Sequence, residues 1–162
     1  MTGLKGWQST GALTSEEPQW LPVVEGRFRL GVTGSRNFGD RDLVQQALMF
    51  LNVGSRVTVV HGAATGADSL VEEVAGVLFP AWDFDPFPAD WGRACDAQCR
   101  HGGYRPRRRD GSEWCPAAGP IRNEKMAWSG LGLLLAFPGH KGTEDMIRRA
   151  KAAGVRVLRV EG

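Results

Sequence analysis

Short apolar runs alternate along this chain with longer segments whose apolar residues recur at helical spacing. Phe28, Leu30 and Val32 alternate with Arg29 and Gly31, which predicts a strand. It runs into a glycine turn, Thr33-Gly34-Ser35-Arg36-Asn37-Phe38. Asp40 then stands as the N-cap of a helix carrying Leu43, Val44, Ala47, Leu48 and Leu51. Val57-Thr58-Val59-Val60 predicts a second buried strand, followed by His61-Gly62-Ala63-Ala64-Thr65-Gly66-Ala67-Asp68. Thr65 and Asp68 have the spacing of a capping box, ahead of a helix bearing Leu70, Val71, Val74, Val77 and Leu78. Residues 81–87 predict a third, edge-like strand that Pro80, Pro86 and Pro88 keep short.

Residues 92–116 break this rhythm and read as a loop insertion. Pro120 suits the first position of a helix running to about Trp128. Leu131-Gly132-Leu133-Leu134-Leu135-Ala136 has the texture of a strand buried on both faces, and it feeds Phe137-Pro138-Gly139-His140-Lys141-Gly142-Thr143-Glu144-Asp145. A helix with Met146, Ile147 and Ala150 on one side follows. Thr143 is its expected N-cap, Glu144 and Asp145 its acidic first turn, and Gly154 its stop. Residues 155–160 supply the last strand. Strand–helix alternation with short connections predicts an α/β fold, a Rossmann-like parallel sheet flanked by helices. Ligands of such sheets sit beyond the C-terminal ends of the strands, where three glycine-rich turns converge here. Residues 1–26 show no sustained period and read as an arm on the 27–162 domain, ordered only if Trp20, Leu21 and Val23 dock.

Composition narrows the function classes. The 162 residues suffice for one domain with a real core, and 42% hydrophobic with 23% charged residues is ordinary for a globular chain. A net charge of +2 does not by itself imply nucleic acid. No apolar run approaches the ~20 residues of a membrane span and no basic-then-apolar leader opens the chain, so a cytoplasmic protein is expected. Three cysteines cannot all pair within one chain, which fits a reducing compartment.

The candidate chemistry concentrates at the turns. Gly139, Gly142 and Thr143 lie between a strand and a helix N-terminus, where bare amides and the helix dipole favour an anion; the bland alternative is a tight αβ turn. Gly34, Ser35, Arg36, Gly62 and Asp68 join them as candidate ligand-binding residues. Arg36 either clamps a phosphate or pairs with Asp40, and Asp68 is either a cap or an acceptor for ribose hydroxyls. Arg122, a cation near a helix start, points to a ligand or carboxylate partner. His140 and Lys141 lie exposed on the cradle turn, His140 with a proton available near neutral pH. In the insertion, the pattern Cys95-x3-Cys99-x-His101-x13-Cys115 offers four soft or borderline ligands in a core-poor loop. A structural zinc ion on Cys95, Cys99, His101 and Cys115 is one reading, tolerated thiols the other. Arg105, Arg107, Arg108 and Arg109 form a basic patch, either a solvated loop or a contact for polyphosphate or nucleic-acid backbone.

Gly34-Ser35-Arg36, the run 61–68, Pro88-Ala89-Asp90-Trp91, Ala118-Gly119-Pro120-Ile121-Arg122-Asn123 and Phe137-Pro138-Gly139-His140-Lys141-Gly142-Thr143 occur in this order. Together they resemble the YspA-type branch of the SLOG superfamily over residues 28–160. The resemblance implies a Rossmann-like domain binding a nucleotide or ADP-ribose-like molecule, often as a homodimer. It also relates the chain to Lonely-guy phosphoribohydrolases, which cleave the N-glycosidic bond of cytokinin nucleotides, and to Smf-type DNA-processing proteins. Arg122 matches the arginine of the hydrolases. Their glutamate corresponds to Met146 and the second glycine of their Pro-Gly-Gly motif to His140, departures that count against that hydrolysis. Glu144 and Asp145 are the nearby carboxylates, each turned about 100° or more around the helix from the matching position. The leading expectation is therefore a nucleotide binder. Its alternatives are an N-glycosidase with Arg122 and Glu144 or Asp145 as catalytic pair, and a DNA binder acting through the arginine loop.

Overall fold

A computed structural model describes residues 7–10, 27–51, 56–97 and 99–161. Six strands form one sheet in the order β1-β6-β5-β2-β3-β4. They are β1 (Trp7–Thr10), β2 (Phe28–Thr33), β3 (Val57–His61), β4 (Asp83–Pro86), β5 (Leu133–Ala136) and β6 (Val157–Val160). β2 to β6 are parallel to their neighbours, the predicted Rossmann-like arrangement, and β1 runs antiparallel along β6. β1 was not legible as a strand within the N-terminal arm, because four residues on a sheet edge owe their order to the backbone ladder. Trp20, Leu21 and Val23 lie outside the described residues.

Two helices, α1 (Arg41–Phe50) and α2 (Ala67–Leu78), cover one face of the sheet; α3 (Ala118–Ala127) and α4 (Lys141–Ala152) cover the other. Each face has its own core. Leu30, Val32, Val59 and Leu135 pack with Val44, Leu48, Val71 and Val74 on the first. On the second, Val60, Leu134 and Ala136 meet Met126, Met146, Ile147 and Ala150. This two-sided burial explains why β3 and β5 read as continuous apolar runs. Among the described residues no helix is long and apolar enough to cross a membrane.

Local signals set two of the helix ends as expected, the start of α1 and the end of α4. The Asp40 carboxylate accepts from the Leu43 amide at 3.0 Å, so Asp40→Ala is expected to cost about 1 kcal/mol in a denaturant titration. Gly154, at φ 77°, closes α4: its amide donates to Lys151 O and the Val155 amide to Ala150 O, at 3.0 and 2.9 Å. Pro120 is the third residue of α3, not the first, because the helix starts at Ala118.

The connections also create the binding edge. From central β2 the chain winds outward to β3 and β4, whereas β5 and β6 lie on its other side. The strand order therefore reverses between β2 and β5, and the crevice beyond their C-terminal ends is where such sheets hold ligands.

Candidate functional site

Three turns meet at that crevice and are tied together through Ser35. Its amide donates to Pro138 O (2.9 Å), while its carbonyl accepts from Ala67 N (3.1 Å) and Phe38 N (3.2 Å). Its hydroxyl accepts from the Asn37 amide at 3.1 Å. Gly66 has φ 75°, and a Cβ there would lie 2.3 Å from the carbonyl oxygens of Ser35 and Arg36, so only glycine lets the second turn dock on the first. At Gly139 a Cβ would stand 2.0 Å from Thr143 Oγ1. Gly139 thus lies beneath the cradle, packed on Thr143.

Above this floor opens a cleft of about 680 Å³. Of the predicted ligand-binding residues, Gly34, Ser35, Arg36, Gly62, Asp68, Arg122, Gly142 and Thr143 line it; Gly139 does not. Helix α4 begins at Lys141, so Thr143 is its third residue and not the N-cap, which is His140. The amides of residues 141–143 thereby open the helix without intrahelical acceptors, beside the cleft.

The second turn departs from the expected capping box. Gly66 is the N-cap of α2, and Asp68 turns back instead, accepting from the amides of Gly62 (3.0 Å) and Ala64 (3.2 Å) through Oδ2. Burial raises the Asp68 pKa, opposed by these amides and by the charges of His61 and Arg122. Thr65 bonds Arg36 O at 3.4 Å instead of capping. Ala63 holds φ 54°, a strained conformation for a residue with a side chain; its amide donates to His61 Nδ1 at 3.0 Å. His61 Nε2 in turn lies 2.8 Å from Glu72 Oε2, close but not aligned as a hydrogen bond.

Arg122 reaches across from α3. Its Nη1 donates to Gly62 O and, at 3.3 Å, to Phe87 O, and its Nε to Asn123 Oδ1 at 2.9 Å. Among the described residues no protein group accepts from Nη2. Burial lowers the Arg122 pKa, Asp68 opposes that, and Arg36 adds to it, so two cations face the cleft together. Arg36 does not pair with Asp40; its guanidinium lies 5.2 Å from the centre of the Trp91 ring.

The two candidate carboxylates separate. Asp145 lines the cleft and is held by Asn123 Nδ2 (3.0 Å), Arg148 (2.6 Å) and Arg149 (2.9 Å). Burial alone would raise its pKa, but these three donors bring it below the ordinary value. Glu144 faces away from the cleft, its two oxygens on Arg159 at 2.7 and 2.8 Å, and does not fit a catalytic pair with Arg122. Met146 lies in the core beneath α4, 1% exposed. His140 and Lys141 both line the cleft.

Cys95, Cys99, His101 and Cys115 converge, with their ligand atoms all within 4.8 Å of one another. Cys99 and Cys115 sulfurs are 3.5 Å apart, and His101 Nε2 is 3.5 Å from Cys95 and 3.7 Å from Cys115. Two arginines attend the sulfurs: Arg93 donates to Cys99 at 2.9 Å, and Arg105 to Cys95 at the same distance. Burial opposes charge on Cys115, but bonding with His101, the Ala117 amide, Arg93 and Cys99 outweighs it and brings the thiol down to about 6. Burial also raises the Cys95 thiol, against Arg105. The four side chains could hold a metal ion.

The basic patch is smaller than its sequence implies. Arg105 is spent on Cys95, Arg93 O and Glu113, and Arg107 pairs with Glu113 at 3.2 Å across a tight hairpin. Arg108 and Arg109 remain exposed near its tip.

The sequence reading missed one wall of the cleft. Trp91 and Trp114 line it, packed edge to face with centroids 5.5 Å apart. Trp91 directly precedes the insertion and Trp114 lies near its end, so the loss of apolar residues between two tryptophans was the available signal. Asn123, buried and donating to both Asp145 and Gly142 O, was also missed as a site residue. Comparison of the chain with protein-family profiles, curated proteins and solved structures found no match.

Proposed function

We propose that this chain is a SLOG-type domain whose cleft binds a nucleotide or a nucleotide-derived molecule such as ADP-ribose. One observation carries the reading: Arg36, Arg122 and the free first-turn amides of α4 face a single cleft at the strand-order reversal of the sheet. Arg122 has Nη2 available for a phosphate oxygen, and Asp68 stands where a ribose hydroxyl can donate. The volume falls within the ~300–1,000 Å³ usual for small-molecule sites. A thermal-shift screen across nucleoside phosphates and ADP-ribose tests it. At a ligand concentration 100 times Kd the stabilisation is about 2.7 kcal/mol, so a bound ligand raises Tm by several degrees. No shift with any of them sinks the reading.

The Cys95–Cys99–His101–Cys115 cluster is proposed to hold structural zinc. Two thiolates at about 2.3 Å from a tetrahedral ion stand about 3.8 Å apart, near the observed 3.5 Å. Four protein ligands leave no open position, so the ion shapes the loop and takes no part in chemistry. A second reading of the cleft, N-glycosidic hydrolysis, is kept by one observation: Arg122 and Asp145 line the same cleft. Asp145 is ionised, able to stabilise a cationic sugar but not to serve as an acid. Mass spectrometry of the screened mixtures separates the two, since a hydrolase releases free base.

A further inference from the structure

The cleft is chemically lopsided. Its lining combines cations and amides, from Arg36, Arg122 and the start of α4, with two indoles, Trp91 and Trp114. A ligand matching both needs an anionic end and a flat apolar end. We propose that Trp91 and Trp114 form the nucleobase wall of this cleft, so that it selects base-bearing nucleotides over bare sugar phosphates or polyphosphates. This rests on the nucleotide reading above and narrows it.

The wall is built before any ligand arrives. The Cys115 amide donates to Trp91 O at 2.8 Å, and the Trp114 amide to Pro106 O at 3.1 Å. The Trp91 ring lies on Gly119 of α3, where a Cβ would stand 3.1 Å from it. With both indoles positioned by backbone bonds and close packing, little ordering is needed when a base docks. Arg36, over Trp91, joins the aromatic side to the anion side, placing a cation where base and phosphate of one molecule must be neighbours. Trp128 provides a contrast: it is 64% exposed, bonds Glu124 and has no part in the cleft. Stacking tolerates any base, since each has a π-face, so the wall specifies the presence of a base more than its identity.

Calorimetric titration of the full chain tests this, using adenosine and cytidine 5′-monophosphates, ribose 5-phosphate and inorganic phosphate. The wild type is expected to bind both nucleotides about tenfold or more tighter than ribose 5-phosphate. Trp91→Leu and Trp114→Leu each reduce that preference while leaving ribose 5-phosphate affinity within about twofold; Trp91→Phe, which keeps a ring, retains most of it. Equal binding of nucleotide and ribose 5-phosphate by the wild type overturns the wall and leaves the anion cradle standing. So does a Trp91→Leu variant that folds, by its circular dichroism, yet weakens both ligands equally. If no probe binds, the nucleotide reading itself falls and the wall with it.

Discussion

Chelating the zinc proposed for the Cys95–Cys99–His101–Cys115 cluster is expected to lower Tm by about 8–16 °C. An ion held at a free concentration a thousandfold above its Kd contributes about 4 kcal/mol, and about 2–4 °C accompanies each kcal/mol in a chain of this size. Residues 92–116 contribute little to either core, since of their described side chains only Cys115 is fully buried. Arg93 and Arg105 already neutralise the sulfurs, which softens the loss toward the lower end of the range. Both helix-covered cores are remote from these ligands in composition, so far-UV circular dichroism should change little while the tryptophan signal of Trp91 and Trp114 shifts. Cys115→Ser should reproduce the Tm loss and abolish stoichiometric zinc in elemental analysis. A purified protein without bound metal, or one melting within about 2 °C of its chelated form, would show the cysteines to be tolerated thiols.

The parts legible in the sequence are those fixed by local rules. β3 and β5 announced themselves because both sheet faces are covered, and α1 and α4 because a cap or a stop agrees with their periodicity. The four residues that could hold a metal ion were legible as residue types in a core-poor loop. What escaped depends on contacts between distant segments. β1 needs β6 to be a strand at all. The spacing of Thr65 and Asp68 promised a capping box, but burial beside Arg122 and the amides at Gly62 and Ala64 gave Asp68 stronger partners. Glu144 and Asp145 are neighbours in sequence, yet a turn of 100° sends one to Arg159 on the sheet and the other to Asn123 at the cleft. The tryptophan wall joins a residue just before the insertion to one near its end, and only folding of that loop brings them together.

Arg122→Ala is expected to weaken a nucleoside monophosphate on the order of 100-fold while changing affinity for the uncharged nucleoside by less than about threefold. Two charge-assisted bonds to phosphate, each about 1.5 kcal/mol at the lower end of their range, are lost together. The size of the effect follows from position. Arg122 is desolvated enough for its pKa to fall, so its charge is poorly screened and a phosphate within reach is strongly preferred to water. The carbonyls of Gly62 and Phe87 and the amide oxygen of Asn123 hold it in place, so little side-chain freedom is left to lose on binding. Arg122→Lys keeps the charge but not the planar fork that bonds Gly62 O, Phe87 O and Asn123 together, and should recover only part of the affinity. Arg122→Ala also removes a cation that stabilises buried Asp68, so Tm must be read alongside. A Tm loss with equal weakening of nucleoside and monophosphate would make Arg122 a strut of the second turn, and a monophosphate affinity left intact would remove it from the phosphate site altogether.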